Sequence, residues 1–182
     1  MSIVQQILQI YTLRRSPKDI AYHPPAALLL FFVAIALSTI HLSKTPIFYF
    51  PTLASASLLA VGVSIDFLIL KIHNKANRFV QMTTASLGIA CLTTIILIIA
   101  TNVKELTLPA FVAQLWGFYL AIIILRDALE CSFIKSLLIT IAAYLVSASF
   151  MINLFLDVDA FKVLQAQSMA ELQQTTEQIK AQ

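Results

Sequence analysis

The chain has 182 residues, of which 59% are hydrophobic and only 12% charged, with a formal net charge of +3 and a mean hydropathy of +0.87. A soluble domain runs nearer half apolar and a quarter charged, and one of this size has too little interior to hide the excess, so lipid is the solvent that accepts it. A pI near 9.0 does not point to nucleic acid, because Lys and Arg fall in short clusters between apolar runs and form no contiguous stripe.

Residues 1–24 divide in two. In residues 2–13, Ile3, Val4, Ile7, Leu8 and Tyr11 recur at helical spacing, while Gln5, Gln6 and Gln9 take the other side. The segment is too short and polar to span. It reads as an interfacial amphipathic helix on the membrane surface, with Arg14, Arg15 and Lys18 at anionic head groups. The alternative is a helix packed on the protein's own bundle. A lead-in with Pro17, Pro24 and Pro25 follows, and the paired prolines suit the first turn of a helix. Residues 1–15 lack the charged, apolar and small-residue order of a cleavable signal. The first apolar run is therefore expected to act as a signal anchor.

The membrane domain covers 25–156, with spans expected near 25–42, 47–70, 79–100, 110–125 and 133–156. The first is close to the length that crosses about 30 Å of hydrocarbon. Phe48, Tyr49 and Phe50 form an aromatic cluster at the start of the second span. Ser86, Gly88, Ala90 and Cys91 in the third would let a neighbouring helix approach closely. Residues 157–182 are Gln-rich and read as a polar C-terminal tail. The fold class is all-α, a polytopic bundle of about five transmembrane helices. No internal repeat suggests an inverted-repeat transporter.

Counting Lys and Arg gives the orientation. One side holds Arg14, Arg15, Lys18, Lys71, Lys75, Arg78, Arg126 and Lys135, and the other Lys44, Lys104, Lys162 and Lys180. The bias places the N-terminus in the cytoplasm. With an odd number of spans the C-terminus is then periplasmic or extracellular. Short loops and this bias suit a bacterial inner membrane.

Few residues could carry chemistry. Asp66 is the one carboxylate that stands out within a span, where ionisable groups are costly and functional by default, and it lies within a turn or two of the cytoplasmic edge, where water and cations reach it. It reads either as an ion pair with Lys71, Arg78 or Arg126 that fixes packing, or as a proton- or ion-coupling group. Arg126, Asp127 and Glu130 form a charged turn between the last two spans. Arg126 and Glu130 are spaced to pair along one helical face. The turn is a solvated edge or a docking point for a cytoplasmic partner. Gln114 and Asn153 lie in the outer halves of their spans. They could hydrogen-bond across neighbouring helices or line a polar pocket. Trp116 reads as an interface anchor.

His23, His41 and His73 are scattered, and Cys91 and Cys131 have no ligand-spaced partner, so neither a metal nor a cofactor is expected. There is no H-E-x-x-H, G-x-S-x-G or G-x-x-x-x-G-K-[ST], and three glycines leave no phosphate-cradling loop. An enzyme is not expected.

The stretch VAQLWGFYLAIIILRDALECSFIKSLLITIAAYLV, with Trp116, Leu120 and the turn RDALECS, resembles the last two spans of bacterial Yip-domain membrane proteins. The resemblance implies a five-span fold with the N-terminus inside and little about activity. The chain's short N-terminus lacks the long polar segment with which eukaryotic Yip proteins meet Rab GTPases.

Three functional expectations remain. The first is a scaffold, assembly factor or membrane-organising subunit, contacting other membrane proteins or itself. The second is a small oligomeric transporter or channel subunit using Asp66, Gln114 and Asn153. The third is a protein that binds anionic lipid through Arg14, Arg15 and Lys18.

Overall fold

The structure is a computed structural model, and it describes residues 2–44, 48, 50–101, 103, 106–156, 162, 163 and 166. The helices are α1 (Ile3–Tyr11), α2 (Pro24–Leu42), α3 (Pro51–Ile72), α4 (Phe79–Ala100), α5 (Thr107–Leu129) and α6 (Phe133–Phe155). Five of them, α2 to α6, are long and apolar enough to cross a membrane. The protein is an integral, multi-pass membrane protein with an all-α fold.

Local chemistry explains most helix ends. At α1, Ser2 Oγ accepts from Gln5 N at 3.3 Å while Gln5 Oε1 accepts from Ser2 N at 3.1 Å. This reciprocal pair satisfies two free amides. Pro24 and Pro25 open α2, and His23 Nδ1 accepts the Ala26 amide at 3.3 Å. Pro51 opens α3, so this helix begins after the expected 47 and runs on to Ile72. Tyr49 of the expected aromatic cluster is outside the described residues.

α5 is longer at both ends than the expected 110–125. Pro109 falls in its first turn, where a missing N–H costs nothing. The charged pair Arg126–Asp127 is carried inside its last turn. The chain leaves α5 through Glu130 in the left-handed region (φ 53°, ψ 42°), and Ser132 Oγ then accepts the Lys135 amide to open α6.

α4 is the central helix, packing against α1, α2, α3 and α5, while α6 closes the bundle between α5 and α3. The largest buried cluster joins Ile10 and Ile20 to Leu70, Met82, Ile89, Leu120 and Ile124. Outward, the spans expose large apolar side chains such as Phe32, Leu68, Ile99, Leu115, Leu138 and Leu145. With lipid as solvent, packing inside such a bundle rests on close fit and on polar contacts.

Two such fits involve small residues. Gly88 lies against Ile7, with no room for a methyl group, and Cys91 Sγ sits 3.8 Å from the Leu30 carbonyl. The N-terminal helix is therefore packed on the bundle. Ile7 and Ile10 are buried against it, and Val4 and Leu8 remain exposed on its other face.

The helices alternate in direction, which gives the bundle two unlike ends. Ser16 meets Asp127, and Lys75 and Arg78 meet Glu130, so the lead-in, the α3–α4 connection and the α5–α6 turn share one end. This is the charged end. Phe48 pairs with Leu156 at the plain end. Nearly all of the expected polar tail lies outside the described residues.

Candidate functional site

The charged end gathers the densest polar chemistry in the described part of the molecule. Arg78 ends a short 3-10 turn, Ala76–Arg78, and its guanidinium reaches the end of α5. Nη1 donates to the carbonyls of Asp127 at 3.0 Å and Ala128 at 3.3 Å, and Nη2 to Glu130 Oε1. A cation at the helix C-terminus satisfies its free carbonyls and opposes its negative dipole end. Lys75 Nζ takes the other oxygen of Glu130 at 2.5 Å. These two cations hold the Glu130 carboxyl below the ordinary carboxylate range.

Asp127 is similarly saturated. Arg126 donates to Oδ1 through Nε at 3.2 Å and Nη2 at 2.9 Å, and Ser16 Oγ donates to Oδ2 at 2.6 Å. The expected pair Arg126–Glu130 does not form. The left-handed turn at Glu130 carries its side chain off the α5 face toward Lys75 and Arg78, and Arg126 turns to its neighbour instead.

Three further bonds fasten the start of the chain, one of them on α1 deeper in the bundle and two on the lead-in. Trp116 Nε1 donates to the Tyr11 carbonyl at 3.0 Å, Ala21 N to Gln6 Oε1 at 3.1 Å, and Gln81 Nε2 to the Ile20 carbonyl at 3.0 Å. Trp116 thus ties α1 to α5, in place of the expected interface anchor. Burial pushes the Tyr11 phenol above its usual value. The expected head-group trio divides: Arg14 and Lys18 are exposed, while Arg15 Nη2 donates to the Asp19 carbonyl at 2.5 Å. Lys18, Arg126, Asp127, Glu130 and Cys131 line an open-mouthed cavity of about 170 Å³.

Within the spans, Asp66 lies about 9 Å from the charged end of α3. Its carboxylate makes no ion pair among the described residues, since Arg78 and Arg126 are engaged elsewhere. It is half-buried and near enough to Tyr144 on α6 for the two to interact electrostatically. Thr140, one turn before Tyr144, is buried with its hydroxyl unpartnered at a similar depth. Neither residue stood out in the sequence, where a Thr or Tyr in an apolar run carries no signal.

Gln114 and Asn153 are not brought to Asp66 or to each other. Gln114 is about 10 Å from the plain end of α5, and Asn153 about 3 Å from that of α6. Both are exposed, and the Asn153 amide donates to the Ser149 carbonyl of its own helix at 2.7 Å. No group of three His, Cys, Asp or Glu side chains able to hold a metal occurs among the described residues. No protein family, curated protein or solved structure matches this chain.

Proposed function

We propose that the protein acts through contacts and not through catalysis, as a scaffold, assembly or membrane-organising subunit of a bacterial inner membrane with its charged end in the cytoplasm. One observation carries the reading. The ion pairs and hydrogen bonds of the charged end lock three connections and the start of the chain into a single surface. Exposed Lys18, Lys71 and Lys135 remain on it. A surface fixed before binding loses less freedom when a partner docks. The order of Trp116 on α5, the 130–132 turn and α6 accompanies this reading as a Yip-domain-like feature.

The test is extraction of tagged protein into nanodiscs, lysine cross-linking and mass spectrometry. A stoichiometric partner linked through Lys18, Lys71 or Lys135 is the expected result. A lone chain, or one whose links avoid those lysines, refutes it.

A second reading, a small oligomeric transporter or channel subunit, is favoured by Asp66 alone. An uncompensated carboxylate in hydrocarbon is costly, so Asp66 must meet a proton, a cation or a group from another helix. The exposure of Gln114 and Asn153 requires a second copy to complete any path through them. Dye-reported proton flux in proteoliposomes that Asp66→Asn abolishes would support this reading. Identical flux in the variant would remove it.

A further inference from the structure

We propose that the cavity between the lead-in and the α5–α6 turn binds a phosphate group through Lys18 and Arg126. The inference rests on the helices crossing the bilayer and is independent of the partner reading. Lys18 sits at the middle of the 3-10 turn Pro17–Asp19, whose Pro17 is buried and fixes the turn on the bundle. Its ammonium is exposed at the cavity and makes no ion pair among the described residues.

The two carboxylates in the wall do not oppose an anion as strongly as their number suggests. All four of their oxygens are engaged, Asp127 by Arg126 and Ser16, Glu130 by Arg78 and Lys75. The lining itself is balanced, Lys18 and Arg126 against Asp127 and Glu130, and the positive excess comes from Lys75 and Arg78, which hold Glu130 from outside the opening. Asp19, the next acid along the chain, does not line it.

The volume, about 170 Å³, is many times what a single water needs. The opening is at the end of the apolar helices, the depth at which phospholipid phosphates sit. With Nε and Nη2 of Arg126 held on Asp127, its Nη1 hydrogens are left for the phosphate, and Lys18 supplies a mobile point charge. The phosphate could belong to a lipid head group or be free in solution.

Cys131 in the wall supplies a reporter. The experiment measures maleimide labelling of Cys131, located by peptide mass spectrometry, on full-length protein in a maltoside detergent without phosphate. Phosphatidylglycerol, a diglucosyl lipid with the same acyl chains, or inorganic phosphate is then added.

A several-fold slowing by phosphatidylglycerol, not by the glycolipid, and lost in Lys18→Gln, supports a lipid phosphate. Slowing by inorganic phosphate to the same extent, again lost in Lys18→Gln, supports the same site with a free anion. Equal slowing by the glycolipid, slowing that survives Lys18→Gln, or no slowing overturns the proposal. Lys71→Gln, at an exposed lysine outside the cavity, should slow like the parent protein and controls for general loss of charge.

Discussion

The packing of α1 on α4 makes a prediction with its own control. An ideal Cβ on Gly88 would fall 2.6, 2.8 and 2.9 Å from Cδ1, Cγ1 and Cγ2 of Ile7, whereas one on Gly62 meets nothing within 4 Å. Three atoms of a β-branched side chain cannot all step aside by one rotation, because χ1 of Ile is stiff in a helix. Gly88→Ala must therefore displace α1 by about 1 Å or undock it, and overpacking of this kind costs about 1–3 kcal/mol. Both glycines lie inside long helices, so the gain in helix propensity on changing Gly to Ala, about 1 kcal/mol, cancels between them. The difference in stability between Gly88→Ala and Gly62→Ala should then be about 1–3 kcal/mol against Gly88.

Trp116, the only tryptophan, reports on the same event because its indole donates to Tyr11. Unfolding midpoints in micelles, Trp emission and hydrogen exchange of residues 3–11 make the assay. Gly88→Ala should lower the midpoint, shift the emission and speed exchange in α1, while Gly62→Ala leaves all three unchanged or improved. In an Ile7→Ala background the Gly88→Ala cost should vanish, since all three clashing atoms are gone. If Gly88→Ala matches Gly62→Ala in every readout, α1 does not dock as described.

Three further outcomes follow from single bonds. Trp116→Phe keeps an aromatic side chain, though a smaller one, but loses the donor to Tyr11, so hydrogen exchange in α1 should quicken in line with about 0.5–1.5 kcal/mol or more, and unchanged exchange would show the bond to be idle. Ser136→Ala removes a buried hydroxyl that donates to the Ile122 carbonyl at 2.7 Å. That carbonyl keeps its place in the α5 ladder, so the free energy of unfolding should fall by only about 0.6–1.7 kcal/mol. For Glu130, a carboxyl whose folded value lies below its ordinary value near 4.5 contributes stability that is present above 4.5 and lost as pH falls through the folded value. Parent protein should lose a little thermal stability below pH 4.5, and Glu130→Gln should remove that part of the acid limb and lower stability at neutral pH by the same small amount; an unaltered acid limb would assign it elsewhere.

Five apolar runs were legible because lipid demands an uninterrupted stretch of one chemistry, and the pattern carries its own length scale. The bounds of α4, 79–100, could be read directly, since polar loops flank it closely. Those of α5 could not. Leu108 and Pro109 read as loop, and Arg126–Asp127 as a turn, until the structure shows that Ser16, from the start of the chain, satisfies Asp127 inside the helix.

The same long-range logic hid the candidate site. Arg78 and Glu130 are 52 residues apart, and Ser16 and Asp127 are 111 apart. Sequence spacing finds partners along one helix, and it offered Arg126–Glu130 at four residues. It has no access to partners that only the bundle's alternation of direction brings to one end.

The N-terminal helix shows the limit most clearly. Its apolar residues at helical spacing are equally those of a helix lying in lipid head groups and of one docked on protein. The deciding feature is Gly88, far away in the chain, which gives Ile7 a place to sit. Once docked, α1 fixes where Tyr11 ends, and the lead-in that follows reaches Asp127 with Pro17 buried behind it. Lys18 is then held at the cavity by rigid neighbours, instead of swinging at the end of a free segment. The glycine fit deep in α4 and the Lys18-lined opening at the charged end are thus linked, because loosening the first should blunt the second. Cys131 labelling in Gly88→Ala provides the check: phosphate protection should weaken although no charge has changed. Full protection there would mean that the cavity is ordered without α1.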